Sequence, residues 1–551
     1  MSHPTGAELL VQHLEAQGVE FVFTIPGAKI DRILDALIGA RPRVIVCRHE
    51  QNAALIAGGI GRMTGKAGVC LVTSGPGCSN LVTGLATATS EGDPVVALGG
   101  AVPVASRLKL THQTLDAVNL FRPVTKFSAE IDSGEAISEI LSSAFRAAES
   151  GRPGAAFVSL PSDVMGQPTT AALLAPAVPA RLGPGDAETI ADAARLINGA
   201  RCPVLLLGML ASEPRNAAAV RRLLARAPLP VVCTFQGAGV ISRDLLACFA
   251  GRVGLFHNTP ADQLLDAADV VATIGFNPIE YDPDLWNRAN PRPIVHLDVL
   301  PAEIDAHYRP AVEVIGDIAD SLDGLAPALR PQVALESLGT LQEVSRTMAA
   351  VKAGAASRNG FPIHPLRLIH ELQELLDDDT TVICDVGSIY IWMCRYFYAF
   401  EPRHFLASNG QQTMGVALPW AIAACLVRPG RRVISMSGDG AFLMSAMELE
   451  TAVRLGCHFV HLVWRDGFYD MVRIQQQARY GRETAVALGP VDVVKYAEAF
   501  GATGLAIRSA DEIGPTLRQA LELPGPVLID VPIDYRDNAT LVQTVRAESV
   551  V

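Results

Sequence analysis

The stretch VISMSGDGAFLMSAMELETAVRLGCHFVHLVWRD, residues 433–466, decides how the chain is read. Val433–Met436 is a short apolar run, Phe459–Trp464 is another, and Ala446–Leu455 between them has helical spacing. Strands apolar on both faces and joined by a helix are the pattern of a parallel sheet covered on both sides. Such a crossover puts the ends of both strands on one carboxyl edge, where open α/β sheets bind ligands. Asp439 and Asp466 then share that edge. Gly440 lets backbone N–H groups approach a phosphate at a helix start, and one or two carboxylates with phosphate oxygens are a typical Mg²⁺ environment. Taken alone, Gly438-Asp439-Gly440 suits an ordinary turn equally well. The spacing of 27 residues to Asp466, one helix and one strand long, favours the site.

Outward from this unit the same rhythm fills the chain. Further strand-like runs are Phe21–Ile25, Val44–Cys47, Val69–Val72, Val95–Leu98, Ala156–Leu160, Val204–Leu207, Val231–Thr234, Val270–Ile274, Ile294–Leu297, Val382–Cys384 and Val527–Val531. The fold class is therefore α/β with several doubly wound parallel sheets. Gly166–Asp186 and Leu325–Val333 are rich in Pro and Ala and lack sustained periodicity, and Arg358–Pro365 opens a new αβ unit. Connections of this kind mark domain boundaries. Domains are expected at residues 1–170, 186–335 and 358–551.

Composition excludes several classes. Of 551 residues, 49% are hydrophobic and 19% charged, so the chain is neither disordered nor fibrous. Its 45 Lys and Arg against 57 Asp and Glu leave a net charge of −12, which argues against a nucleic-acid partner. The apolar stretch Gly415–Val427 is shorter than the roughly 18–20 residues of a membrane span. No basic segment followed by an apolar one opens the sequence, and the ten cysteines include no CxxC pair. Reduced core cysteines and a cytoplasmic location are expected.

The motif set is more specific than the rhythm. GDG followed by Asp466 stands with IPGAKID (Ile25–Asp31), RHEQNAA (Arg48–Ala54), TSGPGCSN (Thr73–Asn80) and SEGDPVVALGGAV (Ser90–Val102). SNGQQTMGVALPWAI (Ser408–Ile422), MELETAVRL (Met447–Leu455) and DYRDN (Asp534–Asn538) complete it. Together they resemble the FAD-independent, catabolic acetolactate synthases of the thiamine-diphosphate superfamily, from about Gly6 to Asn538. The resemblance implies three α/β domains: pyrimidine-binding, central and diphosphate-binding. It implies thiamine diphosphate and Mg²⁺ as cofactors without FAD, active sites between subunits of a homodimer or homotetramer, and pyruvate as substrate. The reaction implied is decarboxylation of one pyruvate and ligation of its hydroxyethyl unit to a second, giving 2-acetolactate. A related decarboxylase or carboligase with another acceptor, such as an aldehyde, is the alternative, as is a non-catalytic paralogue. Intact Glu50, Asp439 and Asp466 argue against the paralogue.

The same resemblance distributes roles. Glu50 hydrogen-bonds N1′ of the aminopyrimidine, and burial is expected to keep its carboxyl exchanging protons near neutrality; alone, it reads as an acid at a helix N-terminus. Met414 is the apolar wedge beneath the cofactor, and the carbonyl of Gln412 meets the 4′-amino group. Gly438, Asp439, Gly440, Ala441 and Asp466 hold the diphosphate and metal; the metal ligands are Asp439, Asp466 and the backbone carbonyl of Phe468. Ser388 and Ile389 match positions near the diphosphate, and Gly75 lines the cofactor pocket. Lys29 and Gln113 are substrate-side candidates, a cation after a Pro-Gly turn suiting a carboxylate. Gln475 borders the acceptor pocket, where biosynthetic relatives carry a tryptophan. Phe121 reads as pocket wall or as core. IGFNP (Ile274–Pro278) resembles a nucleotide-binding turn, yet the central domain is expected to be structural. Three departures from the family pattern stand out: Gly467-Phe468 where relatives carry Asn-Gly, Thr24 for a glycine, and Arg465 for an apolar residue.

Overall fold

The computed structural model describes residues 3–177, 180–330, 335 and 338–542. Its strands, numbered in chain order, form three all-parallel sheets of six strands each. The first holds β1 (Phe21–Ile25), β2 (Arg43–Val46), β3 (Gly68–Val72), β4 (Val95–Ala101), β5 (Phe127–Glu130) and β6 (Ala155–Pro161), in the order β2-β1-β3-β4-β6-β5. The second holds β7 (Pro203–Leu207), β8 (Val231–Thr234), β9 (Phe249–Val253), β10 (Val270–Ile274), β11 (Ile294–Asp298) and β12 (Val312–Ile315), in the order β12-β11-β10-β7-β8-β9. The third holds β13 (Thr381–Cys384), β14 (Phe405–Ala407), β15 (Val433–Gly438), β16 (Val460–Arg465), β17 (Thr503–Ala506) and β18 (Val527–Pro532), in the order β14-β13-β15-β16-β18-β17.

Helices or helical turns connect the strands within each sheet, except that a loop joins β11 to β12, giving the crossovers that parallel pairing requires. The inner strands are buried on both faces: β3, β6, β7, β10 and β11 expose no residue. This is why they read as unbroken apolar runs. Strand order reverses between β1 and β3, between β7 and β10, and between β13 and β15. At each reversal the connecting helices leave to opposite sides and open a crevice beyond the carboxyl ends.

The described chain falls into two compact units. One contains the N-terminal residues through Ala180 with Gly410–Gly430 and Ser445–Cys457; the other contains Arg181–Asn409, Arg431–Met444 and the residues from His458 onward. The helix Glu50–Thr64 packs on the helix Ala417–Val427 within the first unit, and a Cβ added to Gly59 would lie 2.9 Å from both Trp420 and Ala423. Only glycine admits so close an approach.

The edge strands β5, β9, β12, β14 and β17 depart from the sequence reading, which contains none of them. The segment Gly166–Asp186 begins in contact with the N-terminus, where Thr5 and Pro168 form an antiparallel bridge; its residues 178 and 179 lie outside the described residues. Leu325–Val333 starts inside the helix Ile318–Leu325 and continues as a turn at Ala326–Ala328, and its residues 331–333 lie outside the described residues. In Arg358–Pro365, Ile363 pairs with Ile533 and His364 caps the helix Pro365–Leu375. Two departures from the family pattern have local accommodations. The buried Thr24 hydroxyl donates to the Leu71 carbonyl at 2.6 Å, and Arg465 forms a two-pronged pair with Asp530 at 2.8 and 2.9 Å. Among the described residues, no helix is long and apolar enough to cross a membrane.

Candidate active site

The carboxyl ends of β15 and β16, beside the crevice between β13 and β15, gather the acidic candidates. Asp439 opens the helix Asp439–Ser445 directly after β15, and Asp466 follows β16. Asp439 accepts the Gly440 N–H through Oδ1 at 2.9 Å and the Gly467 N–H through Oδ2 at 2.8 Å. Asp466 is differently placed: its Oδ2 is buried without a hydrogen-bond partner. Burial pushes the Asp466 carboxyl up to about 7, with the Asp470 and Asp439 charges adding to the effect. Burial also raises Asp439, against the pull of the Gly467 and Gly440 N–H groups. A cation between the two carboxylates would offset both effects and give the orphaned oxygen a partner. No three His, Cys, Asp or Glu side chains among the described residues form a metal-holding group. Two carboxylates are oxygen donors of the kind that suit a hard divalent ion. A cavity of about 310 Å³ adjoins the pair, lined in part by Asp439, Asp466, Gly467 and Phe442.

Space at this crevice can be tested with an added methyl. A Cβ on Gly438 would meet nothing within 4 Å, and one on Gly387 only Ile389, at 3.9 Å. Gly387 also takes φ +140, a conformation open to glycine, as it turns the chain from β13 into the helix Ser388–Tyr396. The Ser388 hydroxyl donates to Asp470 at 2.7 Å, while the Ile389 side chain is fully packed in the core. Ile389 can therefore offer a ligand only its backbone N–H in the first helical turn. Gly440 and the buried Ala441 occupy the equivalent turn after β15, and Gly440 must stay small, since a Cβ would lie 2.5 Å from Tyr469. Phe468 is held in a short bridge to Ala487 under the Arg473 guanidinium, 4.2 Å from its ring. Gln475 is partly exposed on the helix Asp470–Tyr480.

The first compact unit gathers the remaining candidates, and its crevice lies between β1 and β3. Lys29, half-buried, follows β1, and Gly75 follows β3 with φ +62. Gly75 packs against Gln113: an added Cβ would lie 3.0 Å from the Gln113 Cβ. Ser74 donates to Gln113 Oε1 at 3.1 Å, and Gln113 takes a left-handed φ of +63. Glu50 starts the helix Glu50–Thr64 and is half-buried in the chain alone, less than the full burial expected of it. Its position in the first helical turn leaves one side open. Its Oε2 accepts the Asn80 amide at 2.9 Å. Gln412 also has positive φ, at +51, and precedes the half-buried Met414. Left-handed backbone at a non-glycine residue costs energy and clusters at functional sites. Phe121 is core, fully buried with its ring 4.1 Å from that of Phe157.

Several residues at the site escaped sequence reasoning. Asp470 collects Ser388, the Asn538 amide at 2.6 Å and Arg473 at 2.8 Å. Asn80 and Asp385, whose Oδ2 accepts the Ser437 hydroxyl at 2.9 Å, also lay outside it. Asn80 and Asn538 close the quoted motifs TSGPGCSN and DYRDN, which was the available signal.

The chain matches the thiamine pyrophosphate enzyme N-terminal TPP binding domain over residues 4–120, the central domain over 190–325 and the C-terminal TPP binding domain over 385–531. It is 49% identical over 538 residues to a catabolic acetolactate synthase from Raoultella terrigena, spanning 97% of this chain and 96% of that protein. It is 51% identical over 537 residues to an acetolactate synthase from Bacillus subtilis, spanning 97% and 94%. Against the acetolactate synthase isozyme 1 large subunit of Escherichia coli the identity is 31% over 545 residues, spanning 97% and 94%.

Proposed function

The chain belongs to the thiamine pyrophosphate enzyme family, and on that footing we propose that it is an acetolactate synthase of the catabolic kind. It joins two pyruvates, with uptake of one proton and loss of one CO₂, to give 2-acetolactate. The observation that carries this reading is the open crevice at β13 and β15, where the orphaned Asp466 oxygen lies beside Asp439.

Asp439, Asp466 and the Phe468 carbonyl would hold Mg²⁺, and the backbone N–H groups at Ala441 and Ile389, with the Ser388 turn and Gly440, whose own N–H donates to Asp439, would border the diphosphate. When bound, thiamine diphosphate supplies the carbon nucleophile and the electron sink for decarboxylating a 2-oxoacid. Glu50 hydrogen-bonds the aminopyrimidine and moves its proton. Because Asn80 occupies Oε2, Oε1 is the oxygen left for that transfer. Gln412 and Met414 seat the ring. Ser74, by donating to Gln113 Oε1, turns the amide N–H₂ of Gln113 toward an acceptor, and Lys29 supplies charge for a substrate carboxylate. Gln475 borders the acceptor. The protein acts in the cytoplasm as a homodimer or homotetramer.

Flavin has no role in this reading. At the central crevice, Leu210 N–H donates to the Gly275 carbonyl at 3.0 Å. A Cβ on Gly208 would lie 2.4 Å from the Phe276 Cα, and one on Gly275 2.6 Å from the Ala211 nitrogen. The backbone contact between these two loops is the observation in favour of a structural role for the central sheet.

The test is incubation of purified protein with pyruvate, thiamine diphosphate and Mg²⁺, with identification of the product. 2-Acetolactate is expected, with activity lost on chelation and no stoichiometric flavin in the active enzyme. Acetaldehyde or an aldehyde adduct as the main product favours a different carboligase, and no CO₂ from any 2-oxoacid indicates a paralogue without turnover.

A further inference from the structure

Two buried glutamates lie outside the machinery described so far, and both face backbone that leads into a long helix of the first compact unit. Glu448 is fully buried at the end of the turn Ala446–Glu448. Its Oε1 accepts the Arg48 N–H at 3.0 Å and the Thr451 hydroxyl at 2.6 Å, and its Oε2 accepts the Asn52 amide at 2.8 Å. Arg48 and Asn52 flank Glu50. Glu91 ends the helix Val82–Glu91, also buried. Its Oε1 accepts the N–H groups of Gly410 at 2.9 Å and Gln411 at 3.4 Å, and its Oε2 accepts Arg62 at 2.9 Å. Gly410 and Gln411 run directly into Gln412 and Met414.

The arrangement is reciprocal. A carboxylate from the C-terminal part of the chain holds the segment that starts the helix Glu50–Thr64, and one from the N-terminal part holds the segment before Ala417–Val427. These two helices are the pair that meets at Gly59 and Trp420. We propose that Glu448 is the positioning residue for Glu50 and Glu91 the positioning residue for the Gln412–Met414 loop, each acting through its buried carboxylate-to-backbone contacts. Both carboxylates are buried, so losing one removes an acceptor that holds these backbone N–H groups in place and leaves the segment freer to shift. Gln412, held at φ +51, depends most on such restraint.

The proposal rests on the roles given above to Glu50 and Gln412, but amide exchange in the full chain without cofactor tests it separately. Glu448→Ala is expected to speed exchange at Arg48 by roughly 10- to 100-fold while Gly410 and Gln411 stay within about twofold, and Glu91→Ala to do the reverse. Glu448→Asp keeps the charge but shortens the reach, and is expected to expose Arg48 as alanine does even if the alanine variant folds poorly. Glu448→Gln is expected to restore protection, because its oxygen replaces Oε1, and its N–H₂ can donate to Asn52 Oδ1 once the Asn52 amide, which now donates to Oε2, turns over. In the loaded enzyme, Glu448→Ala should lower kcat about tenfold with cofactor affinity within about threefold, and Glu91→Ala should weaken cofactor affinity about tenfold or more. Equal exchange at both segments in either alanine variant, or no recovery with Glu448→Gln, overturns the proposal. The crossed exchange pattern without any effect on cofactor or kcat overturns the roles of Glu50 and Gln412 instead.

Discussion

Arg62 offers the sharpest test of how the first compact unit is held. It is 8% exposed, its Nε donates to Asp93 at 2.8 Å, and its guanidinium lies 4.4 Å over the Trp420 ring. Burial opposes its charge, but Asp93 and Glu91 outweigh that and hold its pKa above the ordinary value. Arg62→Met keeps the length of the side chain and strands two carboxylates that are 1% and 2% exposed. Breaking a buried ion pair costs about 3–5 kcal/mol, and losing the contact with Trp420 adds about 0.5–2. A loss of about 4–7 kcal/mol is expected at pH 8, against a total of ~5–15 for a typical domain. The pH dependence has a definite sign. Stranded carboxylates in the folded variant take up protons more readily than in the unfolded chain, so the deficit is full at pH 8 and shrinks as pH falls toward about 5. Urea unfolding at both pH values measures it. Adding Glu91→Gln and Asp93→Asn to the variant should recover most of the loss at pH 8. A deficit under about 1 kcal/mol, or one equal at both pH values, refutes the claim that Arg62 neutralises a buried acid pair.

Three further outcomes are expected. Glu50→Gln should keep fold and cofactor binding yet slow proton–deuterium exchange at the cofactor C2 by about 100-fold or more; an unchanged rate gives Glu50 another role. Gln475→Trp should shift acceptor preference from pyruvate toward 2-oxobutanoate by about tenfold or more, since one methylene in an apolar pocket is worth about 1–3 kcal/mol. The product ratio in a mixed-acceptor assay reads this, and an unchanged ratio removes Gln475 from the pocket. His461 is fully buried with Nδ1 bonded to Ser435 at 2.8 Å, and burial pushes it down to about 3. Its folded pKa lies below the unfolded value of about 6.5, so the unfolded chain gains a proton first and stability falls with pH, by up to about 1.4 kcal/mol per unit. His461→Asn should flatten that part of the stability profile between pH 6.5 and 4.5, and an unaltered slope would show that His461 is protonated in the fold.

The strands legible in the sequence and those that were not differ by position in the sheet. Val231–Thr234 and Val270–Ile274 were read with their observed bounds because both lie inside a sheet and bury every residue. Of the six edge strands only β2 was read, as Val44–Cys47; the other five offer no such run. β5 and β17 bury none of their four residues fully, and β12 buries only one. β9 is interrupted by Gly251 and by the buried Arg252, whose guanidinium donates to the carbonyls of Cys394 and Phe397. β14 spans only three residues. An edge strand is paired on one side and half-solvated, so its sequence carries little of the hydrophobic signal. Glu91 and Glu448 were illegible for another reason. Each stood inside a quoted motif, but what a buried carboxylate accepts is fixed by segments hundreds of residues away, as with Glu448 and Arg48.

Three parallel six-stranded sheets, the central one in a different strand order from the other two, pose the question of which crevices take a ligand, and the strand rhythm alone treats them alike. IGFNP at the end of β10 and SGDG at the end of β15 are both passages out of a strand with a glycine where a phosphate could approach. The difference is what stands opposite. Against Gly275 lie Leu210 and Ala211, so the two loops touch there. Opposite Gly438 is open space, and around it stand carboxylates that burial has made proton-hungry and one oxygen without a partner. A folded chain rarely keeps a buried polar atom unsatisfied without a use for it. A parallel sheet is thus suited to a scaffold where its loops close upon each other, and to a ligand site where they stand apart with unmatched charge. In this chain that distinction, more than any motif, separates the central sheet from the C-terminal one.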